Sequence, residues 1–176
     1  ALATGRPLLL LGPPGCGKST LADDVASRLG HRYYEAIVSS RTRARDLQWH
    51  FDAVHRLADA QLGRGKRGFS IDPERYIEPR ALWWAFDPVS AAHRDVRRRR
   101  EVDAPPDAAH ATAMRTQRSV LLIDEIDKAE PDVPNDLLVP LGRLRFTVEE
   151  TGLEVCAVEA PFVVITTNNE RDLSAA

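Results

Sequence analysis

Cysteine is almost missing from this chain, with only Cys16 and Cys156 among 176 residues. Two thiols are too few for the disulfide framework of a small secreted domain. Cys16 also falls inside a glycine- and proline-rich turn, where a cross-link would be awkward. Long apolar runs are missing as well, and none approaches the roughly 20 residues that a membrane helix needs. The opening residues, Ala1-Leu2-Ala3-Thr4-Gly5-Arg6, lack the charged-then-apolar layout of a signal peptide. No sign of charge dominates: 24 Lys plus Arg stand against 26 Asp plus Glu, a net of −2, so an overall basic footprint for nucleic acid is absent. These absences predict a reducing, cytoplasmic setting with neither membrane nor nucleic acid as partner. The length allows one domain of ordinary size with a filled core.

What the chain does have begins at Leu8-Leu9-Leu10-Leu11, a short apolar run that reads as a buried strand. Gly12-Pro13-Pro14-Gly15-Cys16-Gly17-Lys18-Ser19-Thr20 follows at once and matches G-x-x-x-x-G-K-[ST]. Glycines let backbone N–H groups turn inward as an anion nest, and no Cβ blocks a phosphate oxygen. Lys18 can reach β- and γ-phosphates, and the Ser19 hydroxyl can ligate Mg²⁺. A helix starting near Lys18 aims its positive end at the same anion. Strand, loop and helix occur in the order the motif requires, which argues against a chance glycine-rich turn.

A second landmark is Ser119-Val120-Leu121-Leu122-Ile123-Asp124-Glu125, a β-prone apolar run ending in two carboxylates. In open α/β sheets that carboxyl edge is where ligands bind. Asp124 suits a Mg²⁺ ligand, and Glu125 a general base for an attacking water. Pro161-Phe162-Val163-Val164-Ile165-Thr166-Thr167 reads as another buried strand, running into Asn168-Asn169. A polar side chain there can hydrogen-bond a lytic water or a γ-phosphate, although an Asn pair at a strand end is also ordinary turn chemistry.

Between these landmarks, Leu21, Val25 and Leu29, with Ala22 and Ala26 beside them, predict an amphipathic helix that Gly30 stops. Residues 33–38 read as a strand. Ser39-Ser40-Arg41-Thr42 opens a predicted helix with Leu47, Phe51, Val54, Ala58 and Leu62 on one face and a partly buried Trp49 off it. On that helix His50 and His55 would point about 140° apart, so they read as surface residues and not as paired metal ligands. Gly63-Arg64-Gly65-Lys66-Arg67-Gly68 reads as a solvated basic loop, since no aromatics interleave for base stacking. In the aromatic-dense stretch from Arg75 to Phe86, Pro79 opens a short helix; one ring of Trp83-Trp84 packs inward and the other meets a neighbour, a subunit or client. Arg94 and Arg97-Arg98-Arg99-Arg100 form a solvated charge run, and residues 92–115 a flexible excursion from one domain. Residues 131–141 predict a helix interrupted by Pro140. The alternation over 145–158 around Thr151-Gly152 predicts a hairpin.

Taken together, GPPGCGKST, LLIDEID and VVITTNN resemble the AAA+ ATPases. SRTRARDL, EPRALWWAF, LLIDEIDKAEPDVPNDLL, FTVEETG and PFVVITTNN further resemble their MoxR branch. The resemblance covers nearly the whole chain. It implies a three-layer α/β P-loop NTPase fold with a mainly parallel sheet in strand order 2-3-4-1, plus the hairpin. Strands then fall near 7–11, 33–38, 119–123 and 162–167. It implies ATP and Mg²⁺ as cofactors, with Lys18 and Ser19 as the Walker A pair and Asp124 and Glu125 as Walker B. Sensor 1 is Asn169 when the MoxR strand is laid on without gaps, and Asn168 under the broader AAA+ pattern. The family usually has a glycine where Pro79-Arg80 stand, so the turn before Leu82 is expected to differ. The arginine finger, fifth core strand and helical lid of the family come later than Ala176, so residues 1–176 read as the large α/β part of an AAA+ core, with slow hydrolysis. Arg143 and Arg145 stand beyond Walker B as finger candidates. The resemblance implies as partners further copies in a six-membered ring and a protein client, such as a von Willebrand factor A-domain protein. Two other readings stay open: a nucleotide-gated switch or scaffold with little turnover, which Glu125 argues against, and a DNA-acting AAA+ motor, which only the Arg97 to Arg100 run encourages.

Overall fold

The computed structural model describes residues 5–63, 72–99 and 118–168, the side chains of 95–99 excepted. The elements that carry the fold are β1 (Leu8–Leu11), α1 (Lys18–Leu29), β2 (Arg32–Ile37), β3 (Trp49–Phe51), α2 (Ala53–Gly63), β4 (Ile77–Pro79), α3 (Ala81–Phe86), α4 (Pro88–Arg99), β5 (Ser119–Asp124), α5 (Asp132–Arg143), β6 (Arg145–Val148), β7 (Leu153–Cys156) and β8 (Phe162–Thr167). Among the described residues the central sheet has four strands in the order β1-β8-β5-β2, all parallel. Counted in chain order these are strands 1-4-3-2, the expected 2-3-4-1 read from the other side. The two inner strands are the continuous apolar runs, because helices cover both faces of a parallel sheet. Val120 to Ile123 are at most 1% exposed.

The two faces carry different cores. On one, α1 lays Ala22 and Ala26 against Val120, Leu122 and Val164. The expected stripe of Leu21, Val25 and Leu29 is therefore corrected: Leu21 and Leu29 are 43% and 46% exposed, and the alanines are buried. Without bulky side chains between them, helix and sheet approach closely. Gly30 does end α1, at φ 62, with its N–H near the Ala26 and Ser27 carbonyls. The other face is built around Phe146 of the β6–β7 hairpin. Its ring stacks on Trp49 at 5.8 Å and meets Trp83 edge-on at 5.8 Å. Both indole N–H groups are satisfied, Trp49 by Glu150 at 2.8 Å and Trp83 by Ser90 at 2.7 Å.

The stretch 39–62 departs from the single predicted helix. A 3₁₀ turn over Ala44–Leu47 leads into β3, which pairs antiparallel with β4, and α2 starts afresh. Asp52 separates them by accepting the His55 N–H at 2.9 Å, as helix N-caps do. The Trp49-His50-Phe51 segment takes the extended form that aromatic residues favour. Trp49 is consequently fully packed, at 3% exposure, while His50 and His55 are both exposed. Three further expectations are corrected. Pro79 closes β4 and does not open a helix, which begins at Ala81. Pro140 lies inside α5 without interrupting it; the carbonyl that loses its N–H partner belongs to exposed Asp136, where water can replace it. Of the flexible excursion expected at 92–115, residues 92–99 instead continue helix α4, whereas 100–115, the Arg64 to Gly68 loop and the Arg97 to Arg100 side chains lie outside the described residues. Trp83 is 0% exposed and no surface contact; Trp84 is half-buried, 6.2 Å from the Tyr34 ring.

Candidate functional site

In a parallel sheet every strand delivers its carboxyl end to the same edge. Here the loop Gly12–Gly17, the pair Asp124-Glu125 and Asn168 all leave strands at that edge, which is where ligands bind in such sheets. Side-chain alternation adds a second selection. On the face under α1, the rows Val120-Leu122 and Val164 are apolar at depth. One period on, they become Asp124 and Thr166. The register pairs Ile123 with Ile165, so these two polar groups sit on neighbouring strands at the same level.

The loop itself has the backbone a phosphate cradle requires. Gly15 (φ 77) and Gly17 (φ 88) are left-handed, a region that costs other L-residues about 1–2 kcal/mol. Gly17 is also the N-cap of α1 and supplies no side chain to its first N–H groups, leaving them to an incoming anion. At Gly12 a Cβ would meet Cys16 Sγ at 3.1 Å, so the start of the loop is tightly turned.

Lys18 donates to three oxygens: Gly12 O at 2.7 Å, Pro13 O at 2.9 Å and Asn168 Oδ1 at 3.0 Å. Its ammonium is thus held over the loop, with donors to exchange for phosphate oxygens. Ser19 Oγ donates to Asp124 Oδ2 at 2.9 Å, joining residues 105 apart in the chain. Thr166, 0% exposed, donates its hydroxyl to Asp124 Oδ1 and accepts the Glu125 N–H at 3.0 Å. Glu125 is left-handed at φ 61, and Lys128 Nζ, three residues on, lies 2.6 Å from Glu125 Oε2. The Asn168 N–H donates to Asp127 Oδ1 at 3.2 Å, and Asp127 is buried at 4% exposure.

A cleft of about 240 Å³ unites these groups; Pro14, Gly15, Gly17, Lys18, Ser19, Thr20, Asp124, Glu125 and Asn168 line it. Larger clefts of about 450 and 510 Å³ lie elsewhere, beside Glu35, Asp46 and Arg80 and beside Arg41, Arg43 and Asp136. Size does not select the site, because neither of these contains an anion-binding loop. Residues 12–17 form the turn between β1 and α1, and Lys18, Ser19 and Thr20 open α1; Gly12, Pro13 and Cys16 do not line the cleft, and Cys16 is exposed, its Sγ 3.8 Å from Lys18 Nζ. Of the two sensor candidates, Asn168 reaches the loop lysine, and Asn169 lies outside the described residues. Sequence reasoning missed Thr166, Asp127 and Lys128. For Thr166 the signal was available: a polar residue at the inward period of an otherwise apolar strand.

The donor set also fits magnesium. A hydroxyl and a carboxylate are hard oxygen ligands, already neighbours as Ser19 and Asp124. Among the described residues no cluster of three or more His, Cys, Asp or Glu could hold a metal ion. Tyr33, under α1, has a displaced ionisation: burial first, then the charges of Glu35, Asp23 and Asp124, push it up to about 12. No helix among the described residues is long and apolar enough to cross a membrane.

No curated protein matches the chain. Among solved structures it is similar to one described as "a putative ATPase" from Cytophaga hutchinsonii, with a TM-score of 0.55 and 13% identity. That likeness, which concerns the fold, covers 97% of this chain but 36% of the other, so the chain spans about a third of that protein. The family model for the AAA domain of the dynein-related subfamily matches residues 7–176. With the anion loop, the paired carboxylates and the parallel sheet in place, the chain belongs to the AAA domain family, dynein-related subfamily, and so to the AAA+ ATPases, a class built to bind and hydrolyse ATP.

Proposed function

We propose that this chain binds ATP with Mg²⁺ in the cleft between Lys18 and the Asp124-Glu125 pair and cleaves the γ-phosphate by in-line attack of water. The observation that supports it most is the bond from Ser19 to Asp124, which ties the phosphate loop to the acidic strand end. Loop N–H groups and Lys18 stabilise charge on the phosphate oxygens. Ser19 and Asp124 would hold a magnesium ion, which would supply positive charge to offset that of the phosphate oxygens. Glu125 takes the proton of the attacking water at a carboxylate oxygen. Asn168, whose N–H is held by Asp127 and whose Oδ1 accepts from Lys18, is read as a sensor side chain, with Asn169 the alternative.

At the finer level we read the whole protein as a MoxR-like ATPase that works in the cytoplasm as a hexameric ring. Its turnover drives remodelling, assembly or maturation of a protein client, such as one with a von Willebrand factor A domain. The quoted MoxR-like segments support this. The switch reading has one observation in its favour, the Lys128–Glu125 ion pair that restrains the base. A single-turnover ATP assay on Glu125→Gln decides between them. Hydrolysis falls at least a hundred-fold if Glu125 handles the water; unchanged hydrolysis would support the switch.

A further inference from the structure

We propose that Thr166 is a positioning residue, one buried hydroxyl that sets both the metal-ligand carboxylate of Asp124 and the backbone that aims Glu125. The inference rests on the reading of those two residues as magnesium ligand and base.

Thr166 is 0% exposed on β8, where an apolar side chain would pack best beside Val164 and its neighbours. Its hydroxyl has one proton and two lone pairs, and two of its bonds go to the residues of the acidic pair. The proton goes to Asp124 Oδ1. Asp124 Oδ2 takes the Ser19 proton, so each carboxylate oxygen has one protein donor and the plane of the carboxylate is fixed. A lone pair of Thr166 takes the Glu125 N–H at 3.0 Å. That bond matters because Glu125 sits at φ 61, ψ 44, a left-handed conformation that a glutamate adopts at a cost and keeps only when its surroundings impose it. In that conformation the chain turns sharply after Asp124, and the Glu125 carboxylate lines the same cleft as Lys18 and Asn168. Without the hydroxyl, Asp124 keeps only the Ser19 bond and can turn about it, and the Glu125 N–H loses its partner in a part-buried place.

The test uses the full chain with Thr166→Val, which keeps shape and burial but removes the hydroxyl, and Thr166→Ser, which keeps it. Two readouts are taken: affinity for a fluorescent non-hydrolysable ATP analogue with Mg²⁺ and with EDTA, and kcat with KM for ATP. With Thr166→Val, the Mg²⁺-dependent gain in affinity shrinks about ten-fold while affinity in EDTA stays level, and kcat drops roughly ten- to a hundred-fold. Thr166→Ser holds both within about three-fold of the parent. A purely structural role would lower affinity in EDTA and in Mg²⁺ alike, and that result overturns the proposal; so does a valine variant with parental Mg²⁺ gain and kcat. If the valine variant does not fold, Thr166→Ser against Thr166→Ala differs by the hydroxyl alone and must show the same contrast. Glu125→Gln, run beside them, separates the two failures: retained turnover there sinks the base reading, whereas lost turnover there with an unaffected Thr166→Val sinks this one.

Discussion

Replacing Lys128 by Met should speed hydrolysis. Lys128 follows Glu125 through a tight 3₁₀ turn, its N–H bonded to the Glu125 carbonyl at 3.0 Å, and its ammonium lies 2.6 Å from Oε2. A base that must accept a water proton already accepts one hydrogen bond from this cation, which occupies Oε2. The worth of the pair follows from its surroundings. Both side chains are partly solvated, with 43% of Lys128 and 31% of Glu125 exposed, so the bare Coulomb attraction is strongly screened. Pairs of this kind measure about 0.2–1 kcal/mol, which converts to a gain of up to about five-fold in the fraction of free carboxylate. Methionine keeps most of the apolar stem and removes the charge. The assay is single-turnover hydrolysis at saturating ATP, together with KM and thermal melting. Expected are a rate two to five times the parent, an unchanged KM and a melting point within a few degrees. General damage cannot produce a faster enzyme. A rate that stays level or falls would refute the idea that Lys128 restrains the base, and would make it an orienting partner instead.

Two further outcomes follow from the geometry. In a Cys156→Ser background, a bulky thiol reagent on exposed Cys16 blocks ATP binding, because Sγ lies within the loop that wraps the phosphates; unchanged affinity after complete modification would count against the loop conformation. For Tyr33, pushed up to about 12 mainly by burial, the fold retains the neutral phenol after the unfolded chain, near pH 10, has begun to lose its proton. This contribution to stability is therefore intact below about pH 10 and is lost as pH rises toward 12. Urea unfolding across that window should show a steeper loss for the parent than for Tyr33→Phe, and identical slopes would exclude the effect.

How much of this was legible in the residues depended on how local each signal was. The phosphate loop is a contiguous string whose chemistry demands particular residues at particular steps, so it could be read outright. The acidic pair was legible because parallel strands place their carboxyl ends together, and an apolar run ending in Asp-Glu says which end is meant. Strand order followed from the family resemblance. The misreadings were competitions between neighbours. A helical stripe from Leu47 to Leu62 was real in spacing, but Asp52 could cap a helix of its own, and Trp49 gained more by stacking on Phe146 than by lying on a helix. One consequence is that Val54 and Leu62, both on the predicted apolar face, are 81% and 74% exposed. On α1 the spacing was right and the face was wrong by one residue, since close approach to the sheet favoured Ala22 and Ala26 over the leucines. Thr166 escaped notice because its partners are 41 and 42 residues away, and only the strand register brings them together.

The central claim is that Ser19 and Asp124 act as one unit on a shared ion beside the triphosphate. A double-mutant cycle on Ser19→Ala and Asp124→Asn, read as Mg²⁺-dependent affinity for a non-hydrolysable ATP analogue, tests it most directly. The account predicts that each single change costs about ten-fold and that the double variant loses little more than either, since removing one member already breaks the unit. Losses that simply multiply, or affinities that ignore both substitutions, would contradict it.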